Sequence, residues 1–231
     1  MLEKIKNDGL IRGSLVMFIM IGIFNVLNYV FQMSMARLLG PADYGILAVL
    51  MSIVYIFGIP SEAIQTVITR YTSKFGIKNE NGKIKDILYR SLKKVFFFSF
   101  IAFIFFTILS LFLSKMLNID FWLLALTGLF IFYVFSVPVM RGVLQGEKRF
   151  LGLGFNMAVE SFGKVIFSIF LVLLGWKVYG AITGLVVGGI AALLLAFLSV
   201  RDVISSKTKR NPDLSGIYRY NFPILIGITS I

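Results

Sequence analysis

Five stretches of this chain run for 18 to 24 residues without a charged side chain: Gly13 to Ala36, Tyr44 to Ser61, Val95 to Ser114, Phe121 to Met140 and Val178 to Val200. A hydrocarbon core about 30 Å thick is crossed by about 20 residues of helix. No water there can satisfy backbone N–H and C=O groups, so a crossing segment closes its hydrogen bonds on itself. The runs therefore predict an all-α, polytopic transmembrane bundle. Composition agrees, with 58% of residues hydrophobic against roughly 45–50% in soluble domains. The first run is too long for the roughly 7–15-residue apolar region of a cleaved signal. It reads as a permanent span.

The spans are expected near 14–37, 44–73, 92–114, 121–144, 153–175 and 178–200. A seventh begins near Asn221. Its eleven residues to Ile231 rise only about 16 Å as a helix, so the chain is expected to end inside a span. Loop charge sets the orientation. Eighteen Lys and Arg fall on one side: at the N-terminus, at 74–94, at 141–149 and after 200. Three, Arg37, Lys115 and Lys177, fall on the other. This predicts a multi-pass protein of the cell membrane with a cytoplasmic N-terminus. The outer connections, 38–43, 115–120 and 176–177, leave no room for an outer domain.

The net charge of +12 would suit nucleic acid if it formed one patch. The basic residues are instead sorted by loop, and no nucleic-acid partner is expected. The chain has no Cys and no His, which removes disulfides, thiolate metal sites, Cys nucleophiles and His bases. No metal or cofactor is expected.

Polar residues within the spans are the candidate functional groups, because a charge at the centre of a span costs about 2.5–3.5 kcal/mol and such groups face a protein interior or a watery cavity. Span 5 carries Asn156, Glu160 and Lys164 at i, i+4 and i+8, close to one helix face. Lys164 is expected near the midplane. Glu160 and Lys164 either neutralise each other and lock the bundle or belong to a substrate or ion pathway. In span 2, Pro60 predicts a kink. Beyond it Glu62, Thr66, Thr69 and Ser73 form a stripe flanked by Gln65 and Arg70. Arg70 and Lys74 either snorkel or serve the pathway. Span 1 shows Asn25, Asn28, Tyr29 and Gln32 on one face, as interhelical glue or as cavity lining. Span 4 has Pro138 before Arg141, which snorkels or holds an anionic headgroup. In span 6, Gly180, Gly184 and Gly188 form a ridge for close helix approach.

The run Ala36-Arg37-Leu38-Leu39-Gly40-Pro41-Ala42-Asp43-Tyr44-Gly45 resembles the first outer loop of polysaccharide-exporter (Wzx-like) flippases. Arg141-Gly142-Val143-Leu144-Gln145-Gly146-Glu147-Lys148-Arg149-Phe150 is similar to that family's segment after span 4. Tyr179-Gly180-Ala181-Ile182-Thr183-Gly184 is similar to its glycine-rich start of span 6. The resemblance covers nearly the whole chain. It implies the multidrug/oligosaccharidyl-lipid/polysaccharide exporter (MOP) superfamily, with two six-helix lobes around a central cavity. Residues 1–200 would form the N-terminal lobe, 201–220 a basic cytoplasmic linker and 221–231 the start of the second lobe. The implied activity is alternating-access flipping of a polyprenyl-pyrophosphate-linked oligosaccharide. Implied partners are the bilayer, that glycolipid, and a C-terminal lobe or a second copy.

Depth and charge nominate Arg70 and Lys164, with Asn25, Asn28, Gln32 and Arg141, for substrate contact. Glu62 and Glu160 are nominated as counter-ions or coupling sites. A drug or cation exporter of the same superfamily is the alternative. A membrane-embedded enzyme is disfavoured because the outer loops hold only Asp43 and Asp120. A non-transporting scaffold of a glycan-assembly complex is a further possibility.

Overall fold

A computed structural model describes residues 2–205 of the chain. These residues are helical apart from short turns, with no strand among them. The elements are α1 (Leu2–Ile77), α2 (Asn81–Leu117), α3 (Phe121–Gly128), α4 (Phe130–Gly146), α5 (Phe150–Leu171), a π-helical segment (Val172–Trp176), α6 (Lys177–Ser199) and α7 (Arg201–Ser205). Residues 206–231 lie outside the described region, and with them most of the expected linker and all of the expected seventh span.

Four helical stretches are long and apolar enough to cross a membrane: Leu15–Ile77, Asn81–Leu117, Phe121–Gly146 and Phe150–Ser199. Two of them are folded back on themselves. A straight 63-residue helix would extend about 95 Å, three times the hydrocarbon core. Gly40 breaks α1 with a φ of 75°, and Pro41 opens the second arm, where its missing N–H is no loss. The hydroxyl of Tyr44 then reaches Gln32 Oε1 at 3.3 Å, although twelve residues of straight helix separate ends by about 18 Å. Each arm also runs parallel to a different partner. The first arm meets α5 at Met20–Gly154 and Asn28–Lys164. The second meets α4 at Ser61–Val134, Ile68–Gly142 and Thr72–Gly146. Because α4 and α5 are joined by a tight turn, the two arms are antiparallel. Gly175, with a φ of 90°, makes the second reversal. Across it Ser168 Oγ donates to the Ala181 carbonyl at 3.0 Å. Six helical crossings result, the number of complete spans expected from the sequence.

Where glycine sits on a facing surface, helices touch at the backbone. A methyl group on Gly188 would lie 2.7 Å from the Glu160 carbonyl and the Lys164 amide. The expected ridge of α6 is thus the face packed on α5. A second ridge joins α4 to the second arm of α1: a methyl group on Gly142 would lie 2.7 Å from Ile68 Cβ, and one on Gly146 would lie 2.5 Å from Thr72 Cβ.

Pro60 lies within continuous helix, and the only break in α1 is at Gly40. Pro138 lacks the N–H that would bond the Val134 carbonyl. Ser61 Oγ on the neighbouring arm donates to that carbonyl at 2.8 Å and satisfies it. The helix after the first hairpin also starts earlier than expected. The basic stretch before residue 92 is not loop but the first turns of α2. The exposed surface of α2 within the span is rich in aromatic rings: Phe96, Phe97, Phe98, Phe105 and Phe112 are 62–68% exposed.

Candidate functional site

A cavity of about 480 Å³ opens between the two arms of α1, α4 and α5. Phe24 contributes from the first arm, Glu62, Gln65 and Thr66 from the second, Tyr133, Arg141 and Gln145 from α4, and Met157 and Glu160 from α5.

Its centre is Arg141. One turn after Pro138, this guanidinium points into the bundle. Nε donates to Asn156 Oδ1 at 2.7 Å, and Nη2 donates to Glu160 Oε2 at 2.5 Å. The two acceptors stand four residues apart on α5, so they share one face and grip one fork. Asn156 is itself fixed, because its Nδ2 donates to the Ala192 carbonyl of α6 at 2.7 Å. The Arg141 and Glu160 side chains are 12% and 20% exposed, so the pair is shielded yet open to the cavity. A guanidinium has five N–H donors. Two are used by α5, which leaves three for a ligand.

Around this centre the polar stripe of the second arm divides. Gln65 Nε2 and Thr69 Oγ1 donate to Gln145 Oε1 at 3.0 and 3.2 Å, and Ser73 Oγ donates to the Gly146 carbonyl at 3.1 Å. These bonds hold α4 against α1. Glu62 and Thr66 are exposed and line the cavity. Arg70, one further turn along their face, is also exposed.

Two sequence expectations are corrected. Glu160 and Lys164 do not form a self-neutralising pair, because Glu160 turns to Arg141 on α4. Lys164, 8% exposed, donates to Asn28 Oδ1, and its Nζ lies 4.7 Å from the centroid of the Phe31 ring. It is not among the cavity-lining side chains and instead ties α5 to the first arm. Arg141, for its part, does not snorkel. It is drawn inward by Asn156 and Glu160. Of the first-arm amides, Asn28 serves Lys164, with its Nδ2 on the Phe24 carbonyl at 2.8 Å. Gln32 receives Tyr44, and Asn25 is exposed on the arm surface. Sequence reasoning passed over Gln145 and Tyr133 as site residues. Tyr133 carries no polar spacing signal. Gln145 could have been found from its place one turn after Arg141. Among the described residues, no three carboxylates gather as a metal site would require.

Solved structures share this fold. Three are similar over 96% of this chain. They are a MOP superfamily transporter from Pyrococcus furiosus whose binding pocket is described as reversed in polarity (18% identity, TM-score 0.67), an outward-facing multidrug resistance MATE family transporter (19%, 0.72), and a MATE in a straight conformation (16%, 0.74). The chain spans about half the length of each, 52–53%. The profile of the family described as polysaccharide biosynthesis protein matches residues 10–229, and the chain belongs to that family. No curated protein matches it.

Proposed function

We propose that this chain forms one lobe of a flippase that carries a lipid-linked oligosaccharide across the cell membrane, with its N-terminus in the cytoplasm. The observation that carries the proposal is Arg141, a guanidinium held inside the membrane by one helix with donors still available to the cavity. A pyrophosphate or an acidic sugar is a matching ligand, because planar N–H forks bind phosphate and carboxylate oxygens bidentately. Membership of a polysaccharide-biosynthesis family supports a glycan cargo.

In this reading Arg141 is the primary anion contact and Glu160 its resident counter-ion. An incoming phosphate competes with Glu160 for the guanidinium. Arg70 extends the cationic path one turn beyond Thr66. Asn25 offers sugar hydroxyls a polar group on the exposed face of the first arm, and Gln32 acts structurally through Tyr44. Lys164 and Asn28 act from behind, by fixing the helix that presents Glu160. Alternating access requires a second lobe or a second copy. Glu62, facing the same cavity, is the candidate coupling carboxylate.

One observation favours a second reading. The cavity holds two carboxylates, Glu62 and Glu160, against one guanidinium, which suits a cationic drug or ion. Deletion of the gene separates the two. The flippase reading expects lipid-linked oligosaccharide to accumulate on the cytoplasmic leaflet. The full-length gene relieves it, and an Arg141→Ala version does not. Normal glycolipid levels with new sensitivity to cationic drugs would replace it with the exporter reading.

A further inference from the structure

Tyr133 lines the Arg141 cavity from α4 and is 6% exposed. Its ring meets Phe130 edge to face, with centroids 4.3 Å apart at 76°. It also lies on Gly189 of α6, where an added methyl group would overlap the ring. The ring is therefore held in place by packing. Its hydroxyl has no hydrogen-bond partner among the described residues, yet it is not sealed in. A phenol both donates and accepts, and a shielded one is costly to leave unpaired. The missing bond comes from whatever occupies the cavity. Arg141 stands eight residues beyond Tyr133 on α4, about 12 Å along the axis. Gln145 stands one turn further, but its side-chain oxygen is taken by Gln65 and Thr69. Along α4, unspent hydrogen bonding thus runs from Arg141 back toward Tyr133.

We propose that Tyr133 contacts the first sugar of the cargo, the one bonded to the diphosphate that Arg141 holds; this rests on the flippase reading above. A sugar ring has an apolar C–H face and an edge of hydroxyls. Phe24 and Phe130 line the same cavity and offer the face an apolar wall. The Tyr133 hydroxyl offers the edge a partner, as an aromatic body with a polar tip does. The volume of about 480 Å³ lies within the roughly 300–1,000 Å³ of small-ligand sites. It suits a diphosphate and a sugar beside it, with the rest of the glycan outside. A bare anion would use Arg141 and leave the phenol unpaired.

The test measures binding of farnesyl diphosphate esters to the full-length transporter in nanodiscs. One ester is capped with methyl, and the others carry glucose, galactose or N-acetylglucosamine, so all have the same charge. At least one sugar ester should bind several-fold tighter than the methyl ester. Tyr133→Phe keeps the ring packed on Phe130 and Gly189 and removes only the hydroxyl. It should weaken that sugar ester by about two- to tenfold, the worth of one hydrogen bond, and leave the methyl ester unchanged. Arg141→Ala should weaken both. Equal binding of all esters by the parent, a sugar advantage untouched by Tyr133→Phe, or an equal loss of methyl and sugar esters in that variant would each overturn the sugar contact and leave the anion site standing. A parent that binds none of the esters would overturn the flippase reading and the contact with it.

Discussion

Arg141 joins three helices through two side chains. Arg141→Ala leaves the Glu160 carboxylate without its partner in a shielded site. Removing one member of a fully buried pair costs about 3–5 kcal/mol, and this pair is slightly open, so a loss of about 2 kcal/mol is expected. Glu160→Gln on top of Arg141→Ala should recover part of it, because the stranded charge is gone. Thermal unfolding of the two variants in detergent checks this, and equal loss in both would show that the pair is not coupled. Lys164 is a different case. Its partners are an amide and a ring, and a buried charge is often replaceable by an apolar side chain of similar volume. Lys164→Met is therefore expected to retain folding and most transport, whereas Arg141→Ala is expected to fold with reduced stability and to lose transport. The sequence placed Asn156, Glu160 and Lys164 on one face correctly. It could not assign their partners, because i, i+4 spacing fixes geometry within a helix and not which neighbour stands opposite. A glutamate and a lysine one turn apart can pair, and here a stronger fork on α4 takes the glutamate.

At the scale of elements, glycines decide which helices touch. Gly142→Leu and Gly146→Val would drive side chains into Ile68, Thr72 and the backbone of the second arm. Both are expected to abolish the folded bundle, read as lost monodisperse expression. Gly22→Ala meets nothing within 4 Å and should be neutral in the same assay. Gly40→Ala is strained by its backbone, with φ 75° and ψ 171°, by about 1–3 kcal/mol. The α6 ridge was legible because small residues recurred every four positions. Gly142 and Gly146 have the same spacing, yet they read only as part of a motif until Ile68 and Thr72 stood against them. The early start of α2 was hidden by charge: Lys83, Lys85 and Arg90 looked like loop, but an amphipathic helix at an interface carries the same residues.

The short α7 is held by an ion pair outside the membrane. Arg149 Nη1 donates to both Asp202 carboxylate oxygens, at 2.9 and 2.8 Å. Partial burial pushes the Asp202 carboxyl up, but the hydrogen bond and charge of Arg149 outweigh this and hold it below the usual carboxylate range. A depressed folded value means the contact stabilises fully above the unfolded value of about 3.9. It is lost as pH falls through the lower folded value. Glu147, pushed up by burial, acts with the opposite sign, so the test must isolate Asp202. Asp202→Asn is expected to speed hydrogen exchange in 201–205 at neutral pH relative to the parent. The difference should shrink in strong acid. A difference independent of pH would contradict the assignment.

The described residues form six helical crossings with a largely apolar exposed surface, and one polar cavity lies between the arms of α1, α4 and α5. That plan was legible in the uncharged runs and the eighteen-to-three sorting of basic residues, since both reflect the solvent around the chain and not its internal contacts. The cavity's membership was not legible to the same degree. Of the nominated residues, Arg141, Glu160 and Glu62 line it. Arg70 stands a turn away, and Asn28, Gln32 and Lys164 are engaged in holding helices together. Only the register between helices separates these two fates, and that register follows from glycine contacts between helices, such as Gly142 on Ile68 and Gly188 on the α5 backbone. The central claim is that the Arg141 cavity handles an anionic glycolipid. It is tested most directly by reconstituting the full-length transporter in vesicles that carry a polyprenyl-pyrophosphate oligosaccharide and following the glycan to the opposite leaflet. Translocation that is lost in Arg141→Ala and partly kept in Arg141→Lys is the expected result. Undiminished translocation by Arg141→Ala, in protein that is folded by thermal unfolding, would contradict it.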